Sequence, residues 1–367
     1  MCGGIVCKGL AVIGCLVALA GCTERGSGSK GGKDEPPIYR PAAPEFPEVG
    51  WRDIRTFNLP LNNPPVVPPA KAEFLRGDDV VLGVLLGDEA RAYPWTLMVN
   101  FHAVNDHLNG EPIIVNLCEA CNGGAAFLAT VPDTVLDIRP RGMTNGTWYG
   151  IDFQTGSLWY PFIGEAFEGP LKGTKLERIR AYFSPWEDWV HAHPNTTVAV
   201  TTDEVRMRPH GRASRIADQS CLNPVFLDRT SDPRPNPNRD LLPGHQLVFG
   251  LIPMEGEKAR AFTVESLGSV QSIVQTNIND TPILLMLQNK YQIGAYNRAL
   301  QGTELQMKVT AKKPLVMTDQ YGNTWSLWGR TIQGPNHPSE LPLIDGYMAK
   351  WYEWVESFPE TELVNTE

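Results

Sequence analysis

The stretch Trp186-Glu187-Asp188-Trp189-Val190, with Pro194 behind it, returns near the end of the chain as Trp351-Tyr352-Glu353-Trp354-Val355 with Pro359. Tryptophans at i and i+3 share one helix face. Each copy therefore reads as a short helix whose Trp pair packs into a core, in preference to stacking on a ligand. Working outward, earlier landmarks recur in the same order at an offset of roughly 165 to 170 residues, the mark of an internal repeat. Val81-Leu82-Gly83-Val84 answers to Val248-Phe249-Gly250-Leu251, and Ala90-Arg91-Ala92-Tyr93 to Ala259-Arg260-Ala261-Phe262. Pro112-Ile113-Ile114-Val115-Asn116-Leu117 answers to Pro282-Ile283-Leu284-Leu285-Met286-Leu287, and Asp152 to Trp159 answers to Asp319 to Trp325. Between these landmarks lie short apolar runs bounded by turn pairs such as Asn109-Gly110 and Thr155-Gly156, which read as strands. The predicted fold is α+β, mainly β: two duplicated units of short strands, each closed by a Trp-bearing helix. The first unit spans 60–205 and the second 247–367, joined by an irregular connector, 206–246, that carries His210 and Cys221.

Ahead of the units, residues 1–21 combine Lys8, an apolar run from Gly9 to Ala20 and the ending Leu19-Ala20-Gly21-Cys22. A charged start, a short apolar run and a small-residue cleavage site predict a signal peptide, the run being short of the roughly 20 residues that cross a bilayer. Leu-Ala-Gly-Cys resembles the lipobox of bacterial lipoproteins, which implies acylation of Cys22 and anchoring in the cell envelope, outside the cytoplasm. Thr23 after that cysteine resembles the pattern sent on to the outer membrane. Residues 22–59, rich in Gly, Ser, Pro and Lys at the start, read as a flexible tether. A formal charge of −9 and a pI of about 5.4 argue against nucleic acid or an anionic membrane surface as a partner. The expected partner is the membrane, reached through the lipid on Cys22.

Export changes the cysteine arithmetic. Of seven cysteines, cleavage removes Cys2, Cys7 and Cys15 and lipidation occupies Cys22, leaving Cys118, Cys121 and Cys221 in an oxidising compartment. Cys118-Glu119-Ala120-Cys121 follows the apolar run Ile113 to Leu117, with His102 and His107 upstream, whereas the second unit has Gln288 and Tyr291 at the matching positions. The shared fold thus does not need the pair, and three readings of it stay open. Two soft thiolates with one or two imidazoles suit zinc or copper, with Cys118, Cys121 and His102 as ligands and His107 as the weaker fourth. The pair could instead cycle between dithiol and disulfide. The third reading is a structural Cys118–Cys121 disulfide, or two buried thiols that simply pack, in a non-catalytic scaffold or binding module. Asn122-Gly123-Gly124 behind the pair disfavours a thioredoxin-like helix there.

Other candidates are weaker. Arg91, matched by Arg260, reads as a structural ion-pair former; Asp106 and Asp152 are possible acid/base groups, and His191 and His193 sit beside the first Trp helix. No Gly-rich phosphate loop, nucleophile elbow or zinc-protease helix motif is present in the sequence.

Asn63-Pro64-Pro65, Asp78-Asp79-Val80-Val81-Leu82-Gly83-Val84, Glu89-Ala90-Arg91-Ala92-Tyr93-Pro94, Gly156-Ser157-Leu158-Trp159 and Gly169-Pro170-Leu171-Lys172-Gly173-Thr174 together resemble domain-of-unknown-function family 3179 of bacterial exported proteins. The likeness runs from about Leu61 to Leu363. The family's Trp-His-Glu and Cys-Pro-Leu-Cys-Gly segments align with Phe101-His102-Ala103 and Cys118-Glu119-Ala120-Cys121-Asn122, so His102, Cys118 and Cys121 carry over and His107 does not. The resemblance implies a three-residue donor set with an open position, and no activity.

Overall fold

Val80-Val81-Leu82-Gly83-Val84-Leu85-Leu86 carries no charge and is buried from Val80 to Leu85, as befits a strand covered on both faces. In the computed structural model, which describes residues 52–53, 60–202, 236–254 and 257–364, this run is β1 (Val80–Leu86). Cys22 and the signal sequence, like His210 and Cys221, lie outside the described residues. The protein is mainly β.

Strand β1 pairs antiparallel with β2 (Glu89–Pro94), which leads through Pro94 into a seven-residue helix, α1 (Trp95–Phe101). The sequence reading expected one helix per unit and missed α1. Trp95, Thr96, Leu97, Met98 and Phe101 are buried and the run is only seven residues long, so it offers too little of a polar face to distinguish it from a strand. After α1 come β3 (Ala103–Leu108), β4 (Glu111–Cys118) and β5 (Gly123–Leu128), an antiparallel meander. Strands β6 (Ile138–Thr144) and β7 (Thr147–Asp152) form a hairpin in a second sheet. The chain returns as β8 (Arg178–Pro185), antiparallel to both β1 and β5, and runs into α2 (Trp186–Ala192) and β9 (Thr197–Ala199), which is parallel to β2.

Beyond the connector, β10 (Leu247–Leu251) pairs with β11 (Arg260–Thr263), and β12 (Ser272–Ile278), β13 (Thr281–Asn289) and β14 (Gln292–Asn297) form a meander. Strands β15 (Lys308–Lys312) and β16 (Leu315–Thr318) make a hairpin. Strand β17 (Gly346–Lys350) then returns antiparallel to β10, followed by α3 (Trp351–Ser357) and by β18 (Glu362–Val364), parallel to β11.

The Trp helices explain two glycines. A Cβ at Gly83 would lie 2.1 Å from the Trp189 ring, and one at Gly250 would lie 2.2 Å from the Trp354 ring. Each indole also needs a partner for its N–H when buried. Trp189 Nε1 donates to Thr196 Oγ1 and Trp354 Nε1 to Thr361 Oγ1, both at 3.0 Å.

Core clusters cross the connector. Ile114, Phe127, Trp148, Trp159 and Phe162 pack with Val248, Ala261, Tyr347, Trp351 and Trp354. Conversely, Val81, Ala92, Trp186 and Trp189 pack with Leu284, Met286, Leu315 and Trp325. The sheet carrying each Trp helix is thus covered by hairpins from the other side of the connector. As a result β17 and α3 lie over the turn that holds Cys118 and Cys121.

Candidate functional site

Strand β4 ends at Cys118, and the chain turns through Glu119, Ala120 and Cys121 before Gly123 opens β5. The turn is tight because Asn122 takes a positive φ of 57° and Gly123 and Gly124 leave room for aromatic rings. Cβ atoms on those glycines would lie 2.5 Å from Phe162 and 2.5 Å from Phe183. Both cysteines are free thiols, Cys118 at 3% exposure and Cys121 at 0%. Cys121 Sγ lies 3.5 Å from Thr147 Oγ1 and 3.9 Å from the Cys118 carbonyl oxygen.

His102 reaches the site from the end of α1. It sits at φ 63°, a left-handed conformation that costs a non-glycine residue about 1–3 kcal/mol and marks functional sites disproportionately. Its carbonyl accepts the Leu117 N–H at 2.9 Å, which ties it to the last turn of β4. Its Nε2 stands 3.1 Å from Glu119 Oε2, and its ring meets Trp148 edge-on at 6.3 Å. Trp148 in turn donates Nε1–H to the Leu117 carbonyl at 3.0 Å.

The far end of the chain closes the site from behind. The Lys350 N–H donates to the Cys121 carbonyl at 2.8 Å and Lys350 Nζ donates to the Ala120 carbonyl at 2.7 Å. Glu353, 1% exposed, accepts from Tyr347 OH at 3.2 and 3.3 Å and from Ser357 OH at 3.0 Å.

These contacts separate the two thiols electrostatically. The Cys121 S–H hydrogen-bonds the Cys118 sulfur, and with the charge on His102 this holds the Cys118 thiol below its ordinary value against burial and Glu119, which push it up. Burial, the proton given to Cys118 and repulsion from Cys118 and Glu353 raise Cys121 well above its ordinary value. Burial disfavours the His102 cation, but the hydrogen bond and charge of Glu119, together with Cys118, outweigh it and raise the imidazole. Burial would raise Glu119 too, yet His102 and Lys350 hold it below the usual carboxylate range. The two thiols are thus pushed in opposite directions, Cys118 toward the thiolate and Cys121 toward the protonated form.

Of the residues singled out from sequence, Cys118, Cys121 and His102 fall in one neighbourhood. Among the described residues, no group of three or more His, Cys, Asp and Glu side chains has an arrangement that could hold a metal ion. His102 Nε2 is directed to Glu119, and Cys118 with Cys121 offers two soft donors. His107 stands apart, exposed on β3, with Nδ1 3.0 Å from Asn63 Oδ1. Arg91 pairs with Asp106 at 2.6 Å, and Tyr93 OH donates to the same carboxylate oxygen at 2.7 Å, a buried brace between β2 and β3. Asp152 accepts from Trp159 Nε1 at 2.8 Å and from Thr155 Oγ1 at 2.9 Å, a turn-fixing role. His193 packs, with its ring tilted, against Trp189 and Trp328, and burial with the nearby Arg330 charge lowers it to about 4. His191 lines a pocket with Asp188, Gln288 and Trp328, away from the thiols.

The sequence reading missed Glu119 as the partner of His102, and Thr147, Tyr347, Lys350 and Glu353 altogether. A signal was present in the second Trp helix: Lys350 and Glu353 replace Pro185 and Asp188 of the first.

The fold and the site define a mainly β protein with a covered, electrostatically polarised dithiol. Residues 58–361 match the family model described as protein of unknown function (DUF3179), and the chain belongs to that family. No curated protein and no solved structure matches the chain.

Proposed function

We propose that this chain is a lipid-anchored extracytoplasmic protein that carries out thiol–disulfide chemistry at Cys118 and Cys121. The observation that carries the reading is the opposite tuning of two adjacent free thiols, Cys118 toward the thiolate and Cys121 toward the protonated thiol. The thiolate is the attacking species in disulfide exchange, and a protonated neighbour is the resolving group held in reserve. In the forward direction the Cys118 thiolate attacks a disulfide R–S–S–R′, forming Cys118–S–S–R and releasing R′S⁻. The Cys121 thiolate then attacks the Cys118 sulfur, forming Cys118–S–S–Cys121 and releasing RS⁻. Two cysteine thiols are oxidised as one substrate disulfide is reduced to two thiols. Glu119, next in the chain to Cys118 and paired with His102, has a side chain 38% exposed, and in this reading a substrate approaches Cys118 from that side.

Anchoring at Cys22 is supported by the sequence of residues 1–22, and no helix among the described residues is long and apolar enough to cross a membrane. We also read the two halves, 60–205 and 247–367, as copies of one ancestral unit. Supporting this are the equivalent glycine–tryptophan contacts, the two indole–threonine bonds, and the parallel pairings of β9 with β2 and β18 with β11. In that reading the second copy has lost the thiols, or the first has gained them.

The test is purification of the full chain without chelators, followed by metal analysis and by thiol trapping with mass readout before and after exposure to a small organic disulfide. A Cys118–Cys121 disulfide formed on exposure and reversed by dithiothreitol supports the reading. Stoichiometric zinc or copper lost in Cys118→Ser, with no such disulfide, overturns it in favour of a metal site, and a pair already disulfide-bonded and resistant to reduction overturns it in favour of a structural bridge.

A further inference from the structure

Because the Lys350 N–H is bonded to the Cys121 carbonyl, α3 begins directly on the cysteine turn. Its first turn is pressed against the β6–β7 hairpin: a Cβ at Gly146 would lie 2.7 Å from the Tyr352 ring and 3.5 Å from Glu353 Cα. The residue after Gly146 is Thr147, whose hydroxyl lies 3.5 Å from Cys121 Sγ. Glu353 therefore packs on the neighbour of the residue that touches Cys121. Its carboxyl is sealed from solvent and held by two hydroxyl donors, Tyr347 and Ser357.

A buried carboxyl is costly to keep in a core, so its position calls for a reason. The first Trp helix supplies an internal comparison. Counting from the first tryptophan, Glu353 corresponds to Asp188, which is exposed, and the position matching Cys118 is Gln288. The carboxyl is buried only where the helix faces thiols.

We propose that Glu353 is the proton acceptor for Cys121, an inference that rests on the dithiol reading above. Once Cys118 is held in the mixed disulfide Cys118–S–S–R, the Cys121 S–H gives its proton to the Glu353 carboxylate. The resulting thiolate attacks Cys118 Sγ, the S–S bond to R breaks, and RS⁻ departs with the electron pair. Reduction by an external dithiol runs the same steps backward, with Glu353 returning the proton.

The electrostatics give the sequence of events. Burial raises Glu353 to about 8, with Tyr347 and Ser357 pulling it down and the Cys118 charge pushing it up. Capping Cys118 as a mixed disulfide removes that negative charge, so the carboxyl becomes easier to ionise at the moment its acceptor role is needed. The other ionisable groups around the thiols are Glu119 and His102 on the Cys118 side, and Lys350, Tyr347 and Tyr352 on the Glu353 side. Tyr347 and Tyr352 are both raised by burial, and so stay neutral hydroxyls through the working range.

The experiment uses the full chain, reduced, mixed with a dipyridyl disulfide whose released thiopyridone is followed by absorbance. A Cys118→Ser/Cys121→Ser double variant supplies the background from the other cysteines. Release of a first equivalent reports capping of Cys118, and of a second reports closure by Cys121. In Glu353→Gln, which keeps the shape and the hydrogen bonds to Tyr347 and Ser357, capping should proceed at the wild-type rate while closure slows about 100- to 10,000-fold, the usual range for losing a general base. Glu353→Asp should recover part of the closure rate. Closure in the wild type should accelerate with pH and then level, with an inflection below the value of about 8 that Glu353 has beside the Cys118 charge, and this inflection should vanish in Glu353→Gln. Equal closure rates and equal pH profiles in the two proteins overturn the role of Glu353 while leaving the dithiol reading intact. Capping without any second equivalent in the wild type overturns both. Should Glu353→Gln fail to fold, the wild-type profile decides: closure independent of pH between 6 and 9 overturns the proposal.

Discussion

Glu353→Gln also makes a quantitative demand on folding stability. In an unfolded chain the carboxyl ionises near its ordinary 4.5, whereas burial in the fold raises it to about 8. The folded protein therefore binds one more proton than the unfolded chain between those values. The sign follows from linkage: the contribution is fully present below 4.5 and is lost as pH rises through about 8. Each pH unit in that window is worth about 1.4 kcal/mol, so ionisation of this one group should remove on the order of 3 kcal/mol by pH 7 and on the order of 5 kcal/mol by pH 9. Glutamine cannot ionise and keeps the contacts to Tyr347 and Ser357. The assay is urea unfolding of wild type and Glu353→Gln at half-unit steps from pH 5 to 9, taking the difference between the two so that every other titrating group cancels. The variant should gain on the wild type steadily with pH, by several kcal/mol over the range. Stability differences that stay constant within about 0.5 kcal/mol, the size of an ordinary surface effect, would refute the claim that a buried, neutral carboxyl lies beneath the thiols.

His102→Gln removes a positive charge beside Cys118, so alkylation of Cys118 by iodoacetamide at neutral pH should slow several-fold and its pH midpoint should move upward. Gly83→Ala and Gly250→Ala each force a methyl group into a Trp ring, 2.1 and 2.2 Å from its nearest carbon, and each should cost about 1–3 kcal/mol in denaturant unfolding. Thr361→Val leaves the Trp354 indole N–H without its acceptor and should cost about 1–3 kcal/mol by the same measurement, with Thr196→Val costing a similar amount at Trp189. Residues 60–205 expressed alone should lack a cooperative thermal transition, because Trp148, Trp159 and Phe162 would lose the cover of Val248, Tyr347, Trp351 and Trp354. A sharp transition would contradict the shared core.

What the sequence disclosed, and what it hid, follows from the range of each interaction. The Trp186/Trp189 and Trp351/Trp354 pairs were readable because helix periodicity puts i and i+3 on one face, and both pairs are buried in α2 and α3. Strand runs such as β1 and β4 were readable from apolar continuity ended by turn residues. Periodicity identifies the face that is buried but not its partner. The packing of each Trp helix against hairpins across the connector therefore had no local signature. In the site, Cys118, Cys121 and His102 were visible because few residue types do their chemistry. Lys350 was hidden because its contact with Ala120 spans 230 positions, and Glu353 because an acidic residue in an amphipathic helix ordinarily faces water. Only comparison with Pro185 and Asp188 distinguishes them, and that comparison acquires meaning once the thiols are known to lie against α3. Glu119 belongs to the Cys118-x-x-Cys121 stretch itself, yet its partner His102 comes from the end of α1, at a φ of 63° that sequence does not announce.

The central claim, a reversible Cys118–Cys121 dithiol, is tested most directly by equilibrating the full chain in graded ratios of reduced to oxidised glutathione, acid-quenching, alkylating, and quantifying the tryptic peptide that contains both cysteines by mass. The account predicts a single transition between dithiol and intramolecular disulfide with the slope of a two-electron couple, abolished in Cys121→Ser, where glutathione should remain attached to Cys118. A pair that stays reduced at every ratio, or glutathione captured on Cys121 in place of Cys118, would contradict it.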